Sequence, residues 1–351
     1  MTSKLSLETY YRTNYYSICP KSKNILNSSE FVVYALQSSA IYSVPLFILA
    51  GYCVLKKTPK SMDSMKWAYF NMHFWISCQS LMISTLMTPI SWLPTASSSM
   101  LGLFSLAGVP HTVQFYAAGM VGCLSMSAMI SLFENRHNVI QNNRFRISKR
   151  PIRLLIVGIN YLFAVVYPIP FLFGLPDQDS AKLSILQTIS CPSEEFFQLP
   201  VFTISINPEF KTYAAISMFI CTAFMMFQLN FYASTCIYYL VLSRSKSSSK
   251  VTSDRQRKFF YGILIQISIP YLFMLPAIFY TCYSIFRNYY NQDLNNFLIL
   301  FANFYGTVAT FALLFSHTPY RDFFRKVIRW EKTKPIGKIS ISGNRPSVFI
   351  K

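Results

Sequence analysis

Charge is what this sequence has least of. Only 13% of its 351 residues are Asp, Glu, Lys or Arg, against roughly a quarter in an ordinary soluble domain. Acids are the scarcer sign, 13 against 32 basic residues. A solvated globular surface is thereby excluded, and the 52% hydrophobic and 17% aromatic content excludes a disordered chain. Eight cysteines are too few for a disulfide scaffold. No H-E-x-x-H, Walker loop, G-x-G-x-x-G or Cys-x-x-Cys occurs. His73, His111, His137 and His317 are scattered rather than spaced as metal ligands. These absences argue against an enzyme, a cofactor and a metal site. Residues 1–30 are polar and lack the apolar core of a signal peptide, so the first apolar run is expected to serve as an uncleaved anchor.

What is present instead is a set of long runs with no Asp, Glu, Lys or Arg. There are seven, at about Phe31–Leu55, Trp67–Leu93, Gly102–Phe133, Leu154–Leu175, Tyr213–Leu242, Phe259–Tyr283 and Phe297–His317. A helix needs about 20 apolar residues to cross a hydrocarbon layer of about 30 Å. A soluble helix would carry charge on one face, and a membrane strand would alternate over about 10 residues. The runs therefore predict an all-α, seven-helix membrane bundle over residues 31–317, preceded by a segment at 1–30 and followed by a tail at 318–351. Beyond Pro319, Tyr320, Phe323, Phe324, Val327 and Ile328 fall on one helical face, with Arg321, Arg325 and Lys326 on the other. An interfacial amphipathic helix at about 319–330 is expected there.

The net charge of +19 first suggests nucleic acid or an anionic membrane as partner. Sorted by alternate sides of the seven runs, the basic residues divide 25 to 7 and the net charges are +20 and −1. The charge thus reads as a topology signal that makes nucleic acid unnecessary. It predicts the tail in the cytoplasm and the N-terminus outside. The one Asn-x-Ser/Thr sequon without proline, at Asn27, falls on the outer side as a glycosylation candidate. The inverted orientation of insect-type odorant receptor channels is disfavoured. Cys19 and Cys191 fall on the same oxidising side, with Cys282 close to it; Cys19–Cys191 is the preferred pairing.

Specific residues sharpen the picture. Glu134-Asn135-Arg136 stands where the third run meets the cytoplasm, and His317-Thr318-Pro319-Tyr320-Arg321 at the inner end of the seventh. Lys57-Thr58-Pro59, Met62, Lys66-Trp67, Asn71, His73, Thr252, Gln256, Gln266 and Pro270 complete an ordered pattern from about residue 57 to 321. Together these resemble the nematode serpentine chemoreceptors, most closely class H, within the G-protein-coupled receptors. The sequence departs from rhodopsin-like receptors in lacking an Asp in the second run, an Asn-Pro-x-x-Tyr in the seventh and a Cys at the outer end of the third.

The resemblance implies a chemosensory receptor in the plasma membrane of a sensory neuron, at its cilium, with a heterotrimeric G protein, a small odorant or soluble chemical, and membrane lipid as partners. Glu134 and Arg136 are then candidates for an ionic latch, with Asn135, Pro319, Tyr320 and Arg321 beside it at the coupling face. Inward-facing polar groups in the outer half of the runs are the ligand-binding candidates: His111, Gln114, Gln228, Tyr280, Asn303 and Tyr305. No acid lies within a run, so a neutral ligand is expected rather than an amine. Alternatives are a seven-span ligand-gated channel or transporter, or a peptide-sensing receptor, which the five acids of residues 176–212 leave open.

Overall fold

The computed structural model describes residues 7–19, 24–140, 143–173, 175–189, 191–239 and 250–328. The Ser-rich linker with Ser245, Ser247, Ser248 and Ser249, and the tail beyond 328, lie outside the described residues. Local chemistry sets the helix limits. α1 (Ser29–Lys57) starts where the Ser28 hydroxyl accepts from the Phe31 N–H at 3.4 Å, with Glu30 in its first turn. It stops ahead of Thr58-Pro59, with Lys56 and Lys57 against the negative end of its dipole. α2 (Asp63–Leu81) runs on through a π-helical turn, Met82–Met87, and ends at Thr88 with φ 46°. α3 is His111–Val139 and α4 is Arg150–Val166. A short α5 (Gln178–Thr188) precedes α6 (Pro208–Ile237), which is capped by Asn207 with proline in its first turn. α7 (Lys250–Arg287) contains Pro270 and Pro276, α8 (Gln292–Ser316) is capped by Asn291, and α9 (Thr318–Ile328) follows at once.

The long helices pack as one bundle. α3 lies against α2, α4 and α6, while α8 lies against α1, α2 and α7. At Gly306 an added Cβ would meet the Ser80 Cβ at 2.6 Å, so α8 and α2 approach only because that side chain is absent. Among the described residues six helices are long and apolar enough to cross a membrane: Ser29–Lys57, His111–Val139, Arg150–Leu172, Pro208–Ile237, Leu264–Arg287 and Gln292–Ser316. α2 is more polar than these, because it opens with Asp63 and Lys66 and carries Asn71, His73 and Gln79. Those groups are used between helices. Asn71 donates to the Tyr161 hydroxyl of α4 at 2.5 Å, His73 Nε2 meets the Phe47 carbonyl of α1 at 2.9 Å, and Ser125 of α3 donates to Gln79 at 2.5 Å.

The all-α expectation needs one amendment. Two apolar runs, Trp67–Leu93 and Gly102–Phe133, are not single helices: between Thr88 and Pro110 the chain turns back. There β1 (Pro89–Ser91) pairs antiparallel with β2 (Ser97–Met100), and β2 with β3 (Phe202–Thr203), placing Ile90 opposite Ser99 and Ser98 opposite Phe202. Three serines, Ser97 to Ser99, disfavour helix here; Ser97 shares a 2.6 Å hydrogen bond with Thr95, and Ser99 donates to the Pro200 carbonyl at 2.9 Å. This sheet and the N-terminal turns close one end of the bundle, the lid end. α9 marks the other, the tail end. Among the described residues the core falls into one cluster below the lid around Leu36, Ile90, Trp92 and Phe196, a larger one toward the tail around Tyr69, Met129, Phe133, Leu229 and Tyr320, and a small one of Met82, Met87, Met100 and Val121.

Candidate functional site

The lid is tied by covalent and aromatic contacts. Cys19 and Cys191 are joined across 172 residues of sequence, while Cys282 is free. Tyr11 and Tyr15 pack on Phe197 at 4.7 and 4.9 Å between ring centroids, and their hydroxyls donate to Glu194 and to the Pro192 carbonyl, each at 2.8 Å. Trp92 of the hairpin is fully buried, its indole N–H donating to Ser193 at 3.0 Å. Ser193 N–H in turn donates to Tyr290, whose phenol is pushed above its ordinary range by burial. The carboxylates facing this lid are engaged: Glu195 accepts from the Ser29 N–H at 3.2 Å and Asp293 from Asn24 at 2.7 Å. The sequon residue Asn27 sits in a 3₁₀ turn, Ile25–Asn27, beside them.

Most of the six ligand candidates bond to the protein itself. Gln114 is buried and donates to Ser105 at 3.1 Å and to the Val109 carbonyl at 2.8 Å, which fastens the loop ahead of α3. His111 stacks on Phe202, centroids 6.1 Å apart. Gln228 and Asn160 exchange two hydrogen bonds of 3.0 Å between α6 and α4. Asn303 donates to Ser39 of α1 at 2.8 Å, and Tyr305 is buried with its ring edge-on to Phe273 at 6.1 Å. The six therefore do not converge on one point.

Tyr280 is placed differently. It lines a cavity of about 210 Å³ under the hairpin, between α7 and α8, walled by Ile83, Leu93, Ala277, Leu298 and Ala302. Its hydroxyl donates to Asn295 Oδ1 at 2.7 Å and lies 3.3 Å from the Asn291 carbonyl. The hairpin forms the roof and is pinned to α8, since Gln292 donates to the Ser91 carbonyl at 3.1 Å and Asn295 to that of Leu93 at 3.4 Å. The lining contains no Asp, Glu, Lys or Arg. Asn295 and the hairpin carbonyls are absent from the sequence-derived set, because only the turn after Thr88 brings them over α8.

At the tail end the charged residues are buried and sorted. Glu134 and Arg136 are 4% and 3% exposed, but they do not pair with each other. Glu134 accepts two hydrogen bonds from Arg153 of α4, at 2.7 and 2.9 Å, and Asn135 takes a third at 3.4 Å. Arg136 points the other way. It donates to the Tyr69 hydroxyl of α2, with its guanidinium 5.2 Å from that ring and 5.1 Å from the Phe133 ring. The partners follow from helix geometry, since residues two apart face away from each other. Tyr69 then meets His317 edge-on at 4.8 Å, His317 meets Tyr320 at 5.3 Å, and Tyr320 shares a 2.6 Å hydrogen bond with Thr58. Burial pushes the Tyr320 phenol up to about 12. A continuous chain of contacts thus joins α2, α3, α8, α9 and the end of α1. Arg321 lies on α9, outside this chain, beside Pro319. Neither Tyr69 nor Arg153 carried a sequence signal, one being an aromatic among many and the other a loop-edge cation.

Among the described residues no three His, Cys, Asp or Glu side chains gather to hold a metal. Long apolar helices, a lid tied by a disulfide at one end and a buried charged cluster at the other define a multi-pass helical membrane protein. Over residues 27–330 the chain matches the family described as Serpentine type 7TM GPCR chemoreceptor Srh. It is also 32% identical over 326 residues, 93% of both chains, to Serpentine receptor class H-72 of Caenorhabditis elegans. The chain belongs to the Srh family of serpentine chemoreceptors.

Proposed function

We propose that this receptor detects a small, neutral environmental chemical and activates a heterotrimeric G protein from its tail end. The observation that carries the reading is the buried Arg136, held by Tyr69 while Glu134 is held by Arg153. A cation enclosed at the end of a membrane helix is costly unless it works, and contacts shared by five elements suit a two-state switch. In this reading the lid and residues 1–30 face outward and the tail faces the cytoplasm of a plasma membrane, in a sensory cilium. α2 is the seventh crossing, its polar groups spent on neighbouring helices rather than lipid. α9 lies along the inner leaflet.

The ligand occupies the cavity under the hairpin. Its 210 Å³ is smaller than the roughly 300–1,000 Å³ of drug-sized sites, which favours a compact molecule. An uncharged lining offers no counter-ion to an amine or a carboxylate, while the Tyr280 oxygen and the Asn295 amide offer one polar anchor. The decisive experiment is ligand-dependent G-protein activation in cells expressing the receptor. Arg136→Ala is expected to abolish it with surface expression retained, and Ala302→Phe to abolish the ligand response alone. Undiminished coupling by Arg136→Ala would reject the switch, and ligand-gated current in cells lacking the G protein would favour a channel.

A further inference from the structure

A second cavity, of about 460 Å³, lies between the tail-end halves of α7 and α8. Tyr261, Ile265, Phe311 and Phe315 wall it, and they are 48%, 50%, 38% and 44% exposed. On a membrane helix such side chains face acyl chains. Hydrocarbon alone would satisfy these walls, but the tail-end floor is polar, made by Ser316, Thr318 and Arg321. Ser316 Oγ and Arg321 Nε are buried with no hydrogen-bond partner among the described residues. Asp322, next in sequence, forms no ion pair with Arg321. Thr318 opens α9; Pro319 has no N–H and the Tyr320 and Arg321 N–H groups donate to the His317 carbonyl at 3.1 and 3.0 Å, which leaves the Thr318 N–H as the one first-turn amide for a ligand.

Orphan donors in a low-dielectric setting are expensive. Here a hydroxyl and a guanidinium, with the Thr318 N–H beside them, call for one complement, an oxygen-rich anion, and phosphate matches the guanidinium fork best. The groove above them calls for hydrocarbon. A single molecule carrying both is a phospholipid, and the exposed walls leave it a path from the bilayer.

We propose that this groove binds one anionic phospholipid, its phosphate held by Arg321, Ser316 and Thr318, with an acyl chain between α7 and α8. The lipid braces the junction that leads through Tyr320 to Arg136. The assignment to the inner leaflet rests on the orientation proposed above, whereas the binding itself does not, so an inverted orientation would appear in epitope accessibility and leave lipid retention to be read separately.

The test is native mass spectrometry of the full-length receptor purified with phosphatidylserine as the probe. One phosphatidylserine is expected to stay on the unmodified protein and on Arg325→Gln, which removes an exposed cation of α9. Occupancy is expected to fall at least tenfold in Arg321→Gln and in Ala312→Trp, which fills the apolar part and leaves Arg321 in place. Equal retention by Arg321→Gln overturns the site, and so does an equal loss in Arg325→Gln, which would mark general surface charge. Inorganic phosphate is the second probe. Its binding to Ala312→Trp as tightly as to the unmodified protein, with no lipid retained by either, would overturn the lipid in favour of a free anion.

Discussion

The pairing of Glu134 with Arg153, and of Arg136 with Tyr69, divides one short motif between two helices. Each half has a measurable consequence. Removing one member of a buried ion pair strands the other, at a cost of about 3–5 kcal/mol, whereas removing both charges together costs much less. Arg153→Met is therefore expected to lower the thermal unfolding temperature of the purified receptor, and Glu134→Gln added to it to recover part of the loss. Additive losses in that double-mutant cycle would show the pair to be uncoupled. On the other side, a hydrogen bond to a charged group contributes about 1.5–3 kcal/mol, and about 1.4 kcal/mol is tenfold in an equilibrium. Tyr69→Phe deletes that bond while keeping the ring, so ligand-independent G-protein activation is expected to rise about tenfold. An unchanged basal level would mean that Tyr69 does not restrain Arg136. The charged tripeptide itself was legible in the sequence. Its partners were not, because Tyr69 and Arg153 are distant in the chain and meet it only through α2–α3 and α3–α4 packing.

Among the elements, the hairpin at Thr88–Pro110 departs furthest from sequence reasoning. Its residues are apolar or small and uncharged, so by composition they extend the membrane runs on either side. The reversal is decided by the left-handed Thr88 and Ala96, φ 46° and 51°, and by β3, which arrives from residue 202. The hairpin roofs the cavity proposed for the ligand and reaches Ser193 through Trp92, so its position depends on the segment that the disulfide holds. Closing a long loop in this way contributes about 2–5 kcal/mol. Cys19→Ser is expected to lower surface expression and ligand response together while leaving any ligand-independent coupling per surface receptor intact, measured by surface labelling alongside G-protein assay. Full expression and ligand potency in that variant would make the lid dispensable. α9 is the described helix Thr318–Ile328, in the stretch where the sequence predicts an amphipathic helix at about 319–330.

For the whole molecule, the division of charge is the property with the widest consequence. The 25 to 7 split of basic residues predicts that an epitope at the N-terminus is labelled on intact cells and one at the C-terminus only after permeabilisation. The reverse labelling would overturn the orientation and with it the coupling face. By itself the sequence determined that the chain lives in a membrane, how many apolar runs it has and which family pattern it carries. Those follow from composition and local spacing: a charge-free run of sufficient length has no other stable environment, whatever it packs against. Only the tertiary structure decided which polar side chains hold helices together and which border a cavity. Gln228 and Asn303 are absorbed by Asn160 and Ser39, while Tyr280 borders a cavity. That distinction depends on what stands opposite each group once distant segments pack, and a buried polar atom takes whichever partner the fold brings within hydrogen-bond reach.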